Sequence, residues 1–231
     1  PMWAKTYTHI VSPGHPARGS IFTSVTTVSN KPVLLGPANG PMRARLQALL
    51  ESAPGVVIAT DPAGNIVVVG TYVYTINFGG GSLPDPQSAS DSYLFLAKLD
   101  PWGNHIFSKG FGDSATQVPW ALAIDDAGRI AMTFNHNSGG NGFSLDGTNV
   151  LQSVDGADAF VALFSDSGAY QGALPFSGAL QQYASAVAFD AKGALLVGGT
   201  FQETIDCGGV SLTSVASSDV FLAKLNVGTA P

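Results

Sequence analysis

The strings YLFLAKLD (93–100) and DVFLAKLN (219–226) are near-copies, and DAFVALFS (158–165) is a weaker third. Their neighbours repeat with them. VVIATDPAGNIVVVG (56–70), ALAIDDAGRIAMTF (121–134) and SAVAFDAKGALLVGG (185–199) align on Gly64, Gly128 and Gly193, which are 64 and 65 residues apart. Each is an alternating run, an Asp-x-x-Gly turn and a second alternating run, and period-two alternation is the mark of a strand. Asp61, Asp125 and Asp190 are placed to hydrogen-bond the turn backbone, and the glycine supplies a positive φ. A Gly-rich stretch follows each hairpin, then the quoted string as a third strand. A fourth strand is expected in HIFSKGFG (105–112) and AYQGALPFSG (169–178).

Four short strands repeated at this spacing predict an all-β fold, a β-propeller of four-stranded blades. A lone blade cannot bury both faces, so blades must stack, and the string recurs because each blade meets the same packing problem. Within 221–225, Phe221, Ala223 and Leu225 are expected to face one neighbour, and Leu222 and Lys224 the other. Three blades are clear over 55–226. MWAKTY (2–7) carries the fourth-strand pattern, with Trp3, Lys5 and Tyr7 matching Phe107, Lys109 and Phe111. The chain ends just after a third strand, so 2–7 is expected to pair with 219–226 as a closing strand.

The segment 8–54 is a degenerate N-terminal blade or an insertion. Residues 22–36 read as a hairpin turning at Asn30. Residues 41–52 favour a short helix from Pro41 to a stop at Gly55, although Met42, Ala44 and Leu46 also fit the third-strand pattern. The whole chain, 1–231, is read as one propeller domain. A complete small ring, a piece of a larger array and a dimer that completes one ring all fit.

The motif A-x-D-x-x-G-x-x-x-V-x-G, then F-G-G-x-x-L, then D-x-F-L-A-K-L-D resembles the bacterial β-propeller repeat called SBBP, and the hairpin half is similar to an NHL-type blade. The middle copy departs from it with Leu163 in place of the lysine, and in the first copy the acid before the third strand is displaced to Asp91. The resemblance implies an extracellular or cell-surface location in bacteria. It carries no shared catalytic residues.

Composition agrees with a β-rich, turn-rich chain. Charged residues are 11%, Gly numbers 28, and of 16 acids only Glu51 and Glu203 are not Asp. Residues 1–50 hold five basic residues and no acid, while the remainder holds the other five and every acid. That basic region lies against the acidic body or a neighbouring copy, or it meets an anionic partner. The net charge of −6 argues against general nucleic-acid binding. No apolar run is long enough to span a membrane. The single cysteine, Cys207, cannot form an internal disulfide and reads as a buried small apolar residue.

No catalytic motif stands out, and no cofactor is expected. His9 and His15 make a poor metal pair without a third ligand. His105 and His136 are placed at blade rims. Asp125–Asp126 is a carboxylate pair, but Asp125 is already needed for its turn. DGAD (155–158) has oxygen ligands for Ca²⁺ yet reads as a solvated turn. Tyr72, Tyr74, Trp102, His136 and Asn137 are the expected rim contacts, and Trp120 is expected in the core. These features favour a non-enzymatic interaction or assembly module with a protein partner or self-association. A lectin-like glycan binder is the alternative, and an enzyme with a central pocket is disfavoured by the scarcity of titratable groups.

Overall fold

A computed structural model of the protein describes residues 3–9, for which only the backbone is considered, and 56–84, 92–112, 115–137, 142–154 and 156–227. The expected hairpin at 22–36, the helix at 41–52, and His15, Asp91 and Asp155 lie outside the described residues. Those residues form strands, turns and loops, with no helix among them.

After β1 (Trp3–His9), the chain builds the same unit three times. The first holds β2 (Val57–Thr60), β3 (Ile66–Tyr72), β4 (Tyr93–Leu99) and β5 (His105–Phe111), hydrogen-bonded in that order. The second holds β6 (Gln117–Ile124), β7 (Ile130–Asn137), the short pair β8 (Phe143–Ser144) and β9 (Val150–Leu151), then β10 (Ala157–Phe164) and β11 (Tyr170–Gly178). The third holds β12 (Gln182–Phe189), β13 (Leu195–Phe201), the short hairpin β14 (Thr204–Asp206) and β15 (Ser211–Thr213), and β16 (Asp219–Val227). All named strand pairs are antiparallel. β14 also pairs with β11, so the excursion of the third unit extends the outer edge of the second. The sequence reading marked these excursions only as Gly-rich stretches.

The fourth strand of the last sheet comes from the other end of the chain. β1 pairs with β16 over its whole length, Trp3 opposite Val227 and His9 opposite Phe221. The pairing is the one the sequence leads to expect, and it covers the edge of β16, which would otherwise template aggregation. The residue match differs: Trp3, Lys5 and Tyr7 lie opposite Val227, Leu225 and Ala223, whereas Phe107, Lys109 and Phe111 lie opposite Lys98, Leu96 and Leu94.

Burial explains why the quoted string recurs. Phe221, Ala223 and Leu225 pack into a core shared with the second sheet, which contributes Ala159, Val161 and Leu163. Phe160, Ala162 and Phe164 pack on the first sheet, which contributes Leu94 and Leu96. β10 and β16 thus turn their Phe-x-Ala-x-Leu/Phe faces to the preceding sheet, and β4 and β10 turn their alternate residues to the following one. Phe95, Ala97 and Leu99 of β4 pack with residues of their own unit. Period-two geometry allows no other division of the side chains. Among the described residues no further sheet covers the alternate residues of the last sheet, and Val220 is 46% and Leu222 39% exposed. The first strands β2 and β6 are neighbours, as are β6 and β12.

The Asp-x-x-Gly turns are closed as the sequence predicts. Gly64, Gly128 and Gly193 have φ of 83°, 78° and 77°, and each donates its N–H to the aspartate carbonyl. The aspartate side chains accept the backbone N–H groups of Asn65, Arg129 and Ala194. A Cβ at position 128 would also collide with the Asp166 side chain. Gly128→Val is therefore expected to lose roughly 1–3 kcal/mol in urea unfolding, and an unchanged midpoint would contradict the turn assignment.

Candidate functional site

The repeat places one charged device at the turn end of each sheet. Lys98, on β4, reaches back to Asp61 of its own sheet at 2.8 Å and forward to Asp166 of the next. It also donates to the Asp166 carbonyl at 3.2 Å. The side chains of Lys98 and Asp61 are only 2% and 3% exposed. Burial pushes the Asp61 carboxyl up, but hydrogen bonds from Lys98 and Asn65 outweigh it and hold the group below its ordinary 3.8. Burial pushes the Lys98 ammonium down, and Asp166 and Asp61 outweigh that and hold it above 10.5.

The pH dependence follows by linkage. Folded Asp61 binds its proton more weakly than the unfolded chain does. Its contribution is therefore present above the ordinary carboxylate value and lost as pH falls through the folded one. Folded Lys98 binds its proton more tightly, so its contribution is present below 10.5 and lost as pH rises through the folded value. Urea midpoints are expected to stay level between these limits and to fall on both sides. A midpoint that rises below pH 4, within the range where carboxylates titrate, would contradict the pairing.

The middle sheet, lacking the lysine, solves the problem differently. Leu163 is buried in its place. Asp125 instead takes the Arg129 side chain at 2.6 Å, and Arg129 also donates to the Gly193 carbonyl of the next sheet at 3.2 Å and lies over the Phe189 ring. In the last sheet Lys224 pairs with Asp190 at 2.6 Å. That bond and the N–H groups of Ala194 and Lys192 hold the Asp190 carboxyl at about 2.

Between the second and third turns lies an open cleft of about 320 Å³, lined by Asp125, Asp126, Asp190 and Phe189 among others. Asp125 and Asp190 are taken up by turn N–H groups and by cations. Two of the three acids of the cleft, Asp125 and Asp190, thus hold the turns. Among the described residues no three His, Cys, Asp or Glu side chains are grouped to hold a metal ion. No helix among them is long and apolar enough to cross a membrane.

The residues expected at the rim divide into two kinds. Tyr72 is buried and donates its hydroxyl to the Pro84 carbonyl. His136 is 1% exposed, stacks on Phe143 and bonds Ser153. It lies inside β7, where the strand runs further than the alternation suggested. Cys207 is buried, as expected. Tyr74, Asn137 and Trp102 are exposed. Trp102 lies in the turn after β4, at the end where Gly64 meets Pro101. The length of that strand, about 23 Å at ~3.3 Å per residue, separates it from Tyr74. The structure does not bring the five residues into one site. His105 bonds Ser108 at the start of β5.

Trp120 corrects the sequence reading most sharply. The ladder between β6 and β7 shifts register between Pro119 and Ala121. Trp120 sits on that bulge and is 38% exposed, while Pro119 and Ala121 beside it are buried. Its ring meets Tyr183 of β12 edge-on at 5.4 Å. A bulge adds one residue and re-aims a side chain, and only the Pro at 119 hints at it in the sequence.

Comparison of the chain with protein-family models finds no match, and a search of curated proteins finds none either.

Proposed function

We propose that this chain is a β-propeller module of the SBBP kind, non-enzymatic, secreted or displayed on a bacterial cell surface, that works by protein assembly. The three sheets act as successive blades. Their face-to-face cores and adjacent first strands support that reading, and the commitment of the turn carboxylates to backbone and cations supports a role without acid–base chemistry.

One observation carries the assembly reading: the exposed Val220 and Leu222 on β16. Their counterparts, Leu94 and Leu96 in the first sheet and Ala159 and Val161 in the second, are buried against a following sheet. The occupant of the exposed face is a second copy of this chain. The face carries the Lys224–Asp190 pair, one charge of each sign, so two copies meet across a two-fold axis without net repulsion. A four-stranded face seven residues long measures about 19 by 23 Å, roughly 440 Å². Two such faces bury less than the ~1,200 Å² of stable interfaces, which sets a weak contact.

Sedimentation equilibrium tests this. Wild type is expected to show concentration-dependent dimerisation in the micromolar range or weaker, and Leu222→Arg to remain monomeric with an unchanged melting curve. A wild-type chain that stays monomeric at every concentration, or a variant that associates equally well, would overturn the assembly reading.

A further inference from the structure

We infer that Trp120 and Tyr183 form a stacking site for a neutral saccharide. The two rings come from neighbouring first strands, β6 and β12. Each lies at a register shift: Trp120 is on the bulge of β6, and the β12–β13 ladder shifts immediately after Tyr183. The β12 shift is built into the fold, because a Cβ at Gly199 would collide with the Tyr183 carbonyl. The strand can displace Tyr183 only because position 199 is glycine.

The chemistry of the surroundings selects the ligand. The rings are nearly perpendicular, at 76°, so together they make one flat platform with an edge beside it. A Pro-rich peptide needs a groove between ring faces, and this is not one. The Tyr183 hydroxyl donates to Gln181 Oε1 at 2.6 Å, which places an amide and a hydroxyl at the border of the platform. Ser185 is exposed nearby in sequence, as is Val118. Neither Gln117–Ile124 nor Gln182–Phe189 contains a charged residue, in a chain whose net charge is −6. Single-stranded nucleic acid also stacks on aromatic rings but requires a cationic groove, and a charged sugar requires a counter-ion. An uncharged pyranose satisfies both halves of the site: its C–H face covers the indole, and its hydroxyls meet the polar border.

The test uses the whole chain on an array of neutral oligosaccharides, followed by titration of intrinsic fluorescence with the oligosaccharide that binds best. Trp120→Ala is expected to weaken binding at least tenfold, and Trp120→Phe, which keeps a ring, to weaken it less. Tyr183→Phe, which keeps the ring and loses the hydroxyl, is expected to weaken it severalfold. Trp102→Phe should bind as wild type does. Trp120 is exposed, so melting temperatures should stay within a few degrees of wild type, and the phenylalanine variants keep the test decisive if the alanine variant is unstable. Absence of binding to any neutral oligosaccharide, equal binding by Trp120→Ala and Trp120→Phe at wild-type affinity, or preference for a polyproline peptide in the same titration would overturn the assignment.

Discussion

Replacing Lys98 with alanine is expected to destabilise the fold by roughly 3–5 kcal/mol, the range for breaking a buried ion pair from one side. The loss is large because of what remains: Asp61, 3% exposed, keeps its charge without its cation. The link to Asp166, which ties the first sheet to the second, goes with it. Lys224→Ala, at the matching position of the last sheet, is expected to cost less than about 1 kcal/mol, because its side chain is 44% exposed and solvent screens the pair. Urea unfolding of both variants checks the contrast. Equal losses would mean that burial does not distinguish the two lysines.

Phe221→Ala is expected to lose about 3–5 kcal/mol, the usual cost of emptying a core phenylalanine site. The ring is 1% exposed, stacked on Phe176 with centroids 5.1 Å apart, and meets Phe201 edge-on. Leu222→Ala, one residue along the same strand, is expected to change the stability of the monomer by less than about 1 kcal/mol. The two side chains lie on opposite faces of β16, and truncating even the smaller one, a leucine, costs about 2–5 kcal/mol where it is packed in a core. Their difference therefore measures which face is packed. Comparable losses would show that a further layer covers the Val220–Leu222 face.

The strands and their turns were legible because they repeat. Asp61, Asp125 and Asp190 each recur with a glycine three residues on, and the period-two runs around them divide the side chains between two faces. The closing strand was legible for the same reason, since Trp3, Lys5 and Tyr7 copy the spacing of Phe107, Lys109 and Phe111. What the repeat does not encode escaped. The exposure of Trp120 depends on a bulge, which is a local ladder shift with no periodic signature. The burial of His136 depends on β7 running a turn of the pleat further than its apolar alternation, with Phe143 and Ser153 from the excursion covering it. Arg129 supplies the cation missing from the middle sheet from the turn itself, just before β7, a substitution that becomes visible only when its contact with Asp125 is seen. The candidate site was the least legible part because it arises at irregularities, and irregularities are where pattern arguments stop.

The pairing of the two ends of the chain is the central claim, and a designed cross-link tests it most directly. Ala4 lies opposite Asn226 in the β1–β16 ladder. Directly opposed Cα atoms in an antiparallel pair are about 4.5–5.5 Å apart, within the span a disulfide bridges. Cys207 is 1% exposed and does not compete. In the Ala4→Cys/Asn226→Cys variant, mild oxidation is expected to give an intramolecular disulfide between the two new cysteines, seen by peptide mass mapping of a monomer. Failure to form the bond, or a bond found only between two molecules, would contradict the account: β1 would then lie elsewhere, or complete the sheet of a second chain.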